Sequence, residues 1–227
     1  MFGNASGDES AGAVHASAGA SIVVNDAQLL FSGDFRRSGV DLVLSRDGQE
    51  HVVTDYFKGP HRAALSSPDG AMLSPDLVKA LVGEVQVAQA GGTAAAAQVI
   101  GTVSKLTGSA TAIRNGVSVT LNVGDQVQKG DVVQAGADSS LNLTFIDGTV
   151  FGLSANARMV LNEMVYDPQG SSNNSLLSLI QGTITFVAGE TAKNGDMRVD
   201  TPVATMGIRG TAVLVEIGFE VPGQGGA

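Results

Sequence analysis

Residues 109–153 read SATAIRNGVSVTLNVGDQVQKGDVVQAGADSSLNLTFIDGTVFGL, and this stretch decides the fold. Asn115-Gly116 divides two runs in which Ile113 on one side, and Val117, Val119 and Leu121 on the other, alternate with other residues. A two-residue Asn-Gly turn takes positive φ at both positions, so with alternating flanks it predicts a β-hairpin. Leu141, Leu143 and Phe145 alternate into Asp147-Gly148, and Val150, Phe151 and Leu153 return from it as a second hairpin. Between the hairpins, Gly124-Asp125 and Gly130-Asp131 recur with a six-residue period. Two copies are too few for a stacked solenoid, which needs three or more units.

Downstream the pattern continues. ARMVLNEMVY (157–166), the polar loop DPQGSSNN (167–174), and the pair LLSLIQ and TITFVAG around Gly182 lead to MRVDTPVATMGIRGTAVLVEIGFEV (197–221). Thr201-Pro202 is read at a strand edge, with Gly207 and Gly210 at bulge or close-approach positions. About ten short strands, spaced by turns about ten residues apart, predict an all-β domain that closes as a β-sandwich or a β-roll without βαβ alternation.

Upstream, SIVV, AQLLF, VDLVLS and QEHVVTDYF, with Asp47-Gly48 between the last two, predict a small β-hairpin module. SPDLVKALVG (74–83) then predicts one short helix, because Ser74 suits the N-cap, Pro75 the first helical position, Asp76 the first turn and Gly83 the end. Five segments follow: a disordered Ala/Gly/Ser-rich tail over 1–19, the hairpin-plus-helix module over 20–84, a linker over 85–98, the β domain over 99–221, and a Gly-rich tail over 222–227.

Composition narrows the function. The 227 residues hold 13 Lys plus Arg against 22 Asp plus Glu, a net charge of -9 with the acids spread singly, which excludes a nucleic-acid partner. With no Cys and only His15, His51 and His61, thiolate chemistry, disulfides and Cys-based zinc sites are excluded. The start has neither a basic n-region nor a long apolar stretch, so a Sec signal peptide is not expected. No run approaches the roughly 18 apolar residues of a membrane-spanning helix.

Candidate chemistry is sparse. The β domain has no His to activate a Ser or Thr nucleophile. Asp125, Asp131, Asp138 and Asp147 could supply a carboxylate pair, but each adjoins Gly or precedes Ser, where Asp caps turns through its own backbone. No EF-hand spacing, Gly-Gly-x-Gly-x-Asp nonapeptide, P-loop or G-x-G-x-x-G occurs, so neither a metal nor a cofactor is expected. His51 and His61 are read as surface or half-buried residues. Arg209 stands in an apolar strand pair, where it either bridges a carboxylate of the same fold or recognises a partner's; the internal bridge is the expectation.

Residues 99–164 resemble a FecR-type domain in Gly101, Gly124-Asp125, Gly130-Asp131, Ser139-Ser140-Leu141, Asp147-Gly148 and the leucine-containing strand that follows. TPVATMGIRGTAVLVEI (201–217) resembles the closing motif of the same family at Thr201, Pro202, Arg209, Gly210 and Thr211. The resemblance implies an all-β, extracytoplasmic, non-enzymatic module in which these motif positions are structural. Such modules occur in membrane-anchored regulators that relay a receptor signal to a sigma factor, and near the N-terminus of large secreted surface proteins. The strings SGDFRRSGVDLVLSRDGQEHVVTDYF and LSSPDGAMLSPDLVKALVG resemble the lead-in module of the second group, whereas the anchor and Trp-containing segment of the first are not seen. The resulting expectation is a binding or envelope-retention segment at the N-terminus of an exported surface protein, with protein or envelope partners. The alternative is a sensor that signals to a sigma factor. Thr93-Ala94-Ala95 resembles the Ala-Ala cleavage site of adhesins released by a periplasmic protease.

Overall fold

A computed structural model of the chain describes residues 14–15, 21–83, 98–170, 172–194, 196–209 and 214–221. The N-terminal part runs β1 (Val14–His15), β2 (Ile22–Val23), α1 (Ala27–Ser32), β3 (Asp34–Ser38), β4 (Asp41–Arg46), β5 (Gln49–Thr54), β6 (Leu65–Ser66), β7 (Met72–Leu73) and α2 (Pro75–Val82). Asp47 and Gly48 take φ of 51° and 81° and close the β4–β5 hairpin with Arg46 opposite Gln49, as the Asp-Gly signal requires. In α2 the Ser74 hydroxyl accepts from the Leu77 N–H, and Gly83 ends the helix at φ 65°.

Two expectations for this region are corrected. AQLLF is a helix, α1, so the module holds two helices. The Asp26 carboxylate accepts from the Leu29 N–H at 3.0 Å and caps the six residues, which bury Leu29, Leu30 and Phe31. A run this short shows no helical period, so its apolar residues read equally well as a buried strand. Within the tail expected to be disordered, Val14–His15 pair in parallel with β5. The rest of that tail, nearly all of the linker with Thr93-Ala94-Ala95, and residues 222–227 lie outside the described residues.

The second part is all-β. Its elements are β8 (Val99–Thr107), β9 (Ala110–Arg114), β10 (Val117–Thr120), β11 (Gln126–Gln128), β12 (Val132–Ala135), β13 (Ser140–Phe145), β14 (Val150–Leu153), β15 (Arg158–Val165), β16 (Asn174–Val187), α3 (Glu190–Asn194), β17 (Asp196–Asp200), β18 (Thr205–Ile208) and β19 (Leu214–Phe219). One 12-stranded sheet runs β10-β9-β12-β15-β16-β14-β13-β8-β11, with β17 and β19 also on β16 and β18 on β17. Both hairpins of 109–153 form in the expected place, Val117 opposite Arg114 and Leu141 opposite Leu153.

The segments LLSLIQ and TITFVAG are not two strands but halves of β16. The first half pairs with β15 and, in parallel, with β17; the second pairs with β14 and β19. At the junction Gly182 has φ 82°, and a Cβ there would lie 2.5 Å from the Cα of Ala157, so only glycine fits the bend. The topology demands that bend. A straight strand would place Val187 about 43 Å from Asn174, yet the link through α3 to Asp196, which lies beside Asn174, reaches only about 24 Å. The sheet therefore curls into a half-barrel, and β16-α3-β17 is a parallel crossover where no βαβ unit was expected.

A continuous set of buried apolar side chains runs from the N-terminal part into the curled sheet. Phe31 of α1 meets Phe219 of β19 edge to face at 5.1 Å, and burying such a ring contributes about 2 kcal/mol. Beside it the Ser32 hydroxyl donates to the Gln181 side-chain carbonyl, and Gln181 Nε2 donates to the Asn156 carbonyl at 2.8 Å. The Met72 N–H donates to the Pro202 carbonyl at 2.8 Å.

Candidate functional site

The six-residue near-repeat is one turn built twice. Asn122 to Asp125 and Gln128 to Asp131 each close with the Asp N–H on the carbonyl three residues back at 3.1 Å, and each Gly takes positive φ, 93° at Gly124 and 88° at Gly130. Each carboxylate then accepts the first N–H of its own turn, Asn122 to Asp125 at 2.7 Å and Gln128 to Asp131 at 2.8 Å. The surroundings differ. Asp125 is half-buried, whereas Asp131 is 1% exposed and holds Arg114 in two bonds of 2.9 and 2.7 Å. Arg114 also donates to the Gln126 carbonyl. Its hydrogen bonds to Asp131 raise the guanidinium pKa above its usual range, so Arg114 stays charged.

Asp147 occupies a second buried network. The hairpin loop closes with Gly148 N–H on the Phe145 carbonyl at 3.0 Å, and Asp147 turns its carboxylate inward. One oxygen accepts the Thr149 N–H at 2.9 Å and the other accepts the Thr149 hydroxyl at 2.8 Å and the Thr191 N–H at 3.4 Å. Thr149 in turn accepts the Gly189 N–H at 2.9 Å. The hairpin loop thus anchors the start of α3. Asp138 is an exposed turn residue with φ 54°.

The closing motif is placed differently from its reading. Thr201 and Pro202 form the tight turn joining β17 to β18, closed by Thr201 N–H on the Ala204 carbonyl at 2.7 Å. They do not form a strand edge. Gly207 faces open space in β18, so it is neither a bulge nor a close approach. Arg209 is exposed just after β18 and makes no ion pair among the described residues, so the expected internal bridge is not found there. Gly210 and Thr211 lie outside the described residues.

Arg158, passed over in the sequence, is the deeply buried cation. It is 1% exposed, its Nη1 donates to the Gly33 carbonyl at 2.8 Å, and its Nε has no partner. Burial pulls its pKa down to about 10, opposed by Asp34. The signal was available, since Arg158 stands in the apolar run ARMVL much as Arg209 does in its own. Arg114 carried a weaker signal, a charge directly before the Asn-Gly turn. His51 is half-buried opposite Leu44, with its pKa lowered by burial. Among the described residues no group of three or more His, Asp or Glu could hold a metal ion, and no helix is long and apolar enough to cross a membrane.

Residues 131–221 match the FecR protein family. This stretch, from the residue before β12 to the end of β19 and just beyond, is similar to a FecR-type domain. The match takes in Asp131, Asp147, Gly148, Thr201, Pro202, Arg209, Gly210 and Thr211 and leaves Gly124, Asp125 and Gly130 outside. No curated protein and no solved structure matches the chain.

Proposed function

We propose that this chain is a non-catalytic FecR-type module that acts outside the cytoplasm by binding, and that it serves as a binding or envelope-retention segment at the N-terminus of an exported surface protein. The observation that carries the reading is the FecR match over 131–221, within which the buried carboxylates Asp131 and Asp147 are committed to scaffold hydrogen bonds. A general acid or base needs a carboxyl free to exchange a proton with substrate, and these two are engaged by Arg114, Gln128, Thr149 and Thr191.

A family described as FecR protein also supports a second reading, a sensor that relays a receptor signal to a sigma factor. The two readings separate by neighbourhood: a secretion ATPase gene beside this one favours retention, and sigma-factor and receptor genes favour relay. Immunoblotting of fractionated source cells with an antibody to residues 98–221 tests the shared claim. Signal in the envelope or medium is expected, and a purely cytosolic pool overturns both readings.

A further inference from the structure

An open groove lies between the segment 56–62 and the first turns of α2, lined by Phe57, Pro60, Arg62, Pro75, Asp76 and Lys79. Its arginine is held in place. Arg62 lies 5.5 Å from the Phe57 ring centroid and its Nη1 donates to the Gly59 and His61 carbonyls, while its remaining N–H groups have no partner among the described residues. On the facing side Lys79 is exposed and makes no ion pair among the described residues, and the Asp76 carboxylate likewise has no partner there. In a chain of net charge -9, an immobilised guanidinium and an ammonium with only one opposing carboxylate form a local reversal of sign.

We propose that this groove binds an acidic saccharide, with a sugar carboxylate on Arg62 and Lys79 and sugar hydroxyls donating to Asp76. A guanidinium already fixed by an aromatic ring and two carbonyls loses little freedom when it takes a planar carboxylate, which favours binding. Asp76 discriminates the ligand class, because its carboxylate accepts from hydroxyls, which a trisaccharide carries and triglutamate lacks. Pro60 and Pro75 add ring surface and no N–H groups, so they offer an extended peptide no main-chain donors. The inference deepens the envelope-binding reading and rests on it for its setting.

The test is calorimetric titration of the full chain with trigalacturonic acid, maltotriose and triglutamate. Saturable binding of trigalacturonic acid is expected, with maltotriose and triglutamate at least tenfold weaker. Lys79→Gln and Arg62→Gln are each expected to weaken it about tenfold, and Asp76→Asn severalfold. Lys79 lies on an exposed helix face, so Lys79→Gln keeps the fold and decides the matter even where Arg62→Gln disturbs the packing of Phe57. No saturable binding, binding unchanged in Lys79→Gln, or triglutamate binding as tightly would overturn the proposal. An envelope-located chain that ignores trigalacturonic acid sinks this inference alone, whereas a cytosolic chain sinks the function on which it rests.

Discussion

Arg114 grips Asp131 across the β9–β12 pairing with Nε 2.9 Å from Oδ1 and Nη2 2.7 Å from Oδ2, the parallel fork of a guanidinium on a carboxylate. Asp125 sits in the same turn six residues earlier without such a partner, so the two positions form an internal control. Asp131→Ala leaves Arg114 and the Gln128 N–H without their acceptor and is expected to cost about 3 kcal/mol. Asp125→Ala loses the Asn122 N–H bond and a longer one from Asn122 Nδ2, both exposed, and is expected to cost about 1 kcal/mol. Urea unfolding of both variants decides it. Equal losses would mean that the Arg114 pair adds nothing net to the turn.

The bend of β16 yields a sharper contrast. Gly182→Ala combines positive φ with a Cβ 2.5 Å from the Cα of Ala157, whose backbone is held by hydrogen bonds to Ser154 and Ala135. A loss of about 3 kcal/mol or more is expected. Gly124→Ala meets nothing within 4 Å and suffers only the φ penalty, about 1 kcal/mol. Denaturant midpoints read both. Similar small losses would show that β16 straightens without harm, contrary to the short return through α3.

What the sequence disclosed follows from how local each determinant is. Asn115-Gly116 takes φ of 49° and 76°, and the chemistry that selects those angles resides in the two residues themselves. Likewise Ser74-Pro75 and Gly83 bound α2 from within a few residues. The parallel pairing of β16 with β17 has no such mark, because it depends on a bend at Gly182, against which Ala157 packs from the turn before β15. The apolar run around Arg158 was visible, but its partner was not, because the Gly33 carbonyl lies more than a hundred residues earlier in the chain. At the candidate site the turn roles of the Asp residues were legible, since Asp beside Gly caps its own backbone. The Arg114 partnership of Asp131 was not, because it is set by the register of β9 on β12.

His51 supplies the acid-sensitive element. Burial holds its folded pKa below the ordinary 6.5, so the unfolded chain takes up a proton at a pH where the folded chain does not. More protons bound in the unfolded state means that stability rises with pH, so the contribution is complete above about 6.5 and is lost as pH falls toward the folded value. His51→Val, which suits a strand and removes a buried Nε2 without a partner, is expected to flatten the stability curve between pH 7 and 5. Thermal melts across that range test it, and an unchanged acid limb would assign the effect to other groups.

Arg158 separates the value of a charge from the value of a volume. Its guanidinium is buried against a neutral carbonyl, that of Gly33, and its Nε is unsatisfied, so the fold carries a desolvation cost with only partial return. Arg158→Met retains much of the side-chain volume, removes the charge and leaves one helix-end carbonyl without its donor. These terms oppose each other, and stability is expected to stay within about 1 kcal/mol or to rise. Arg158→Ala removes the volume as well and opens a cavity between α1 and β15, at an expected loss of about 3 kcal/mol. Guanidinium unfolding of the two variants reads the difference directly. If Met were as damaging as Ala, the Gly33 contact would be the essential feature and the side chain's packing incidental.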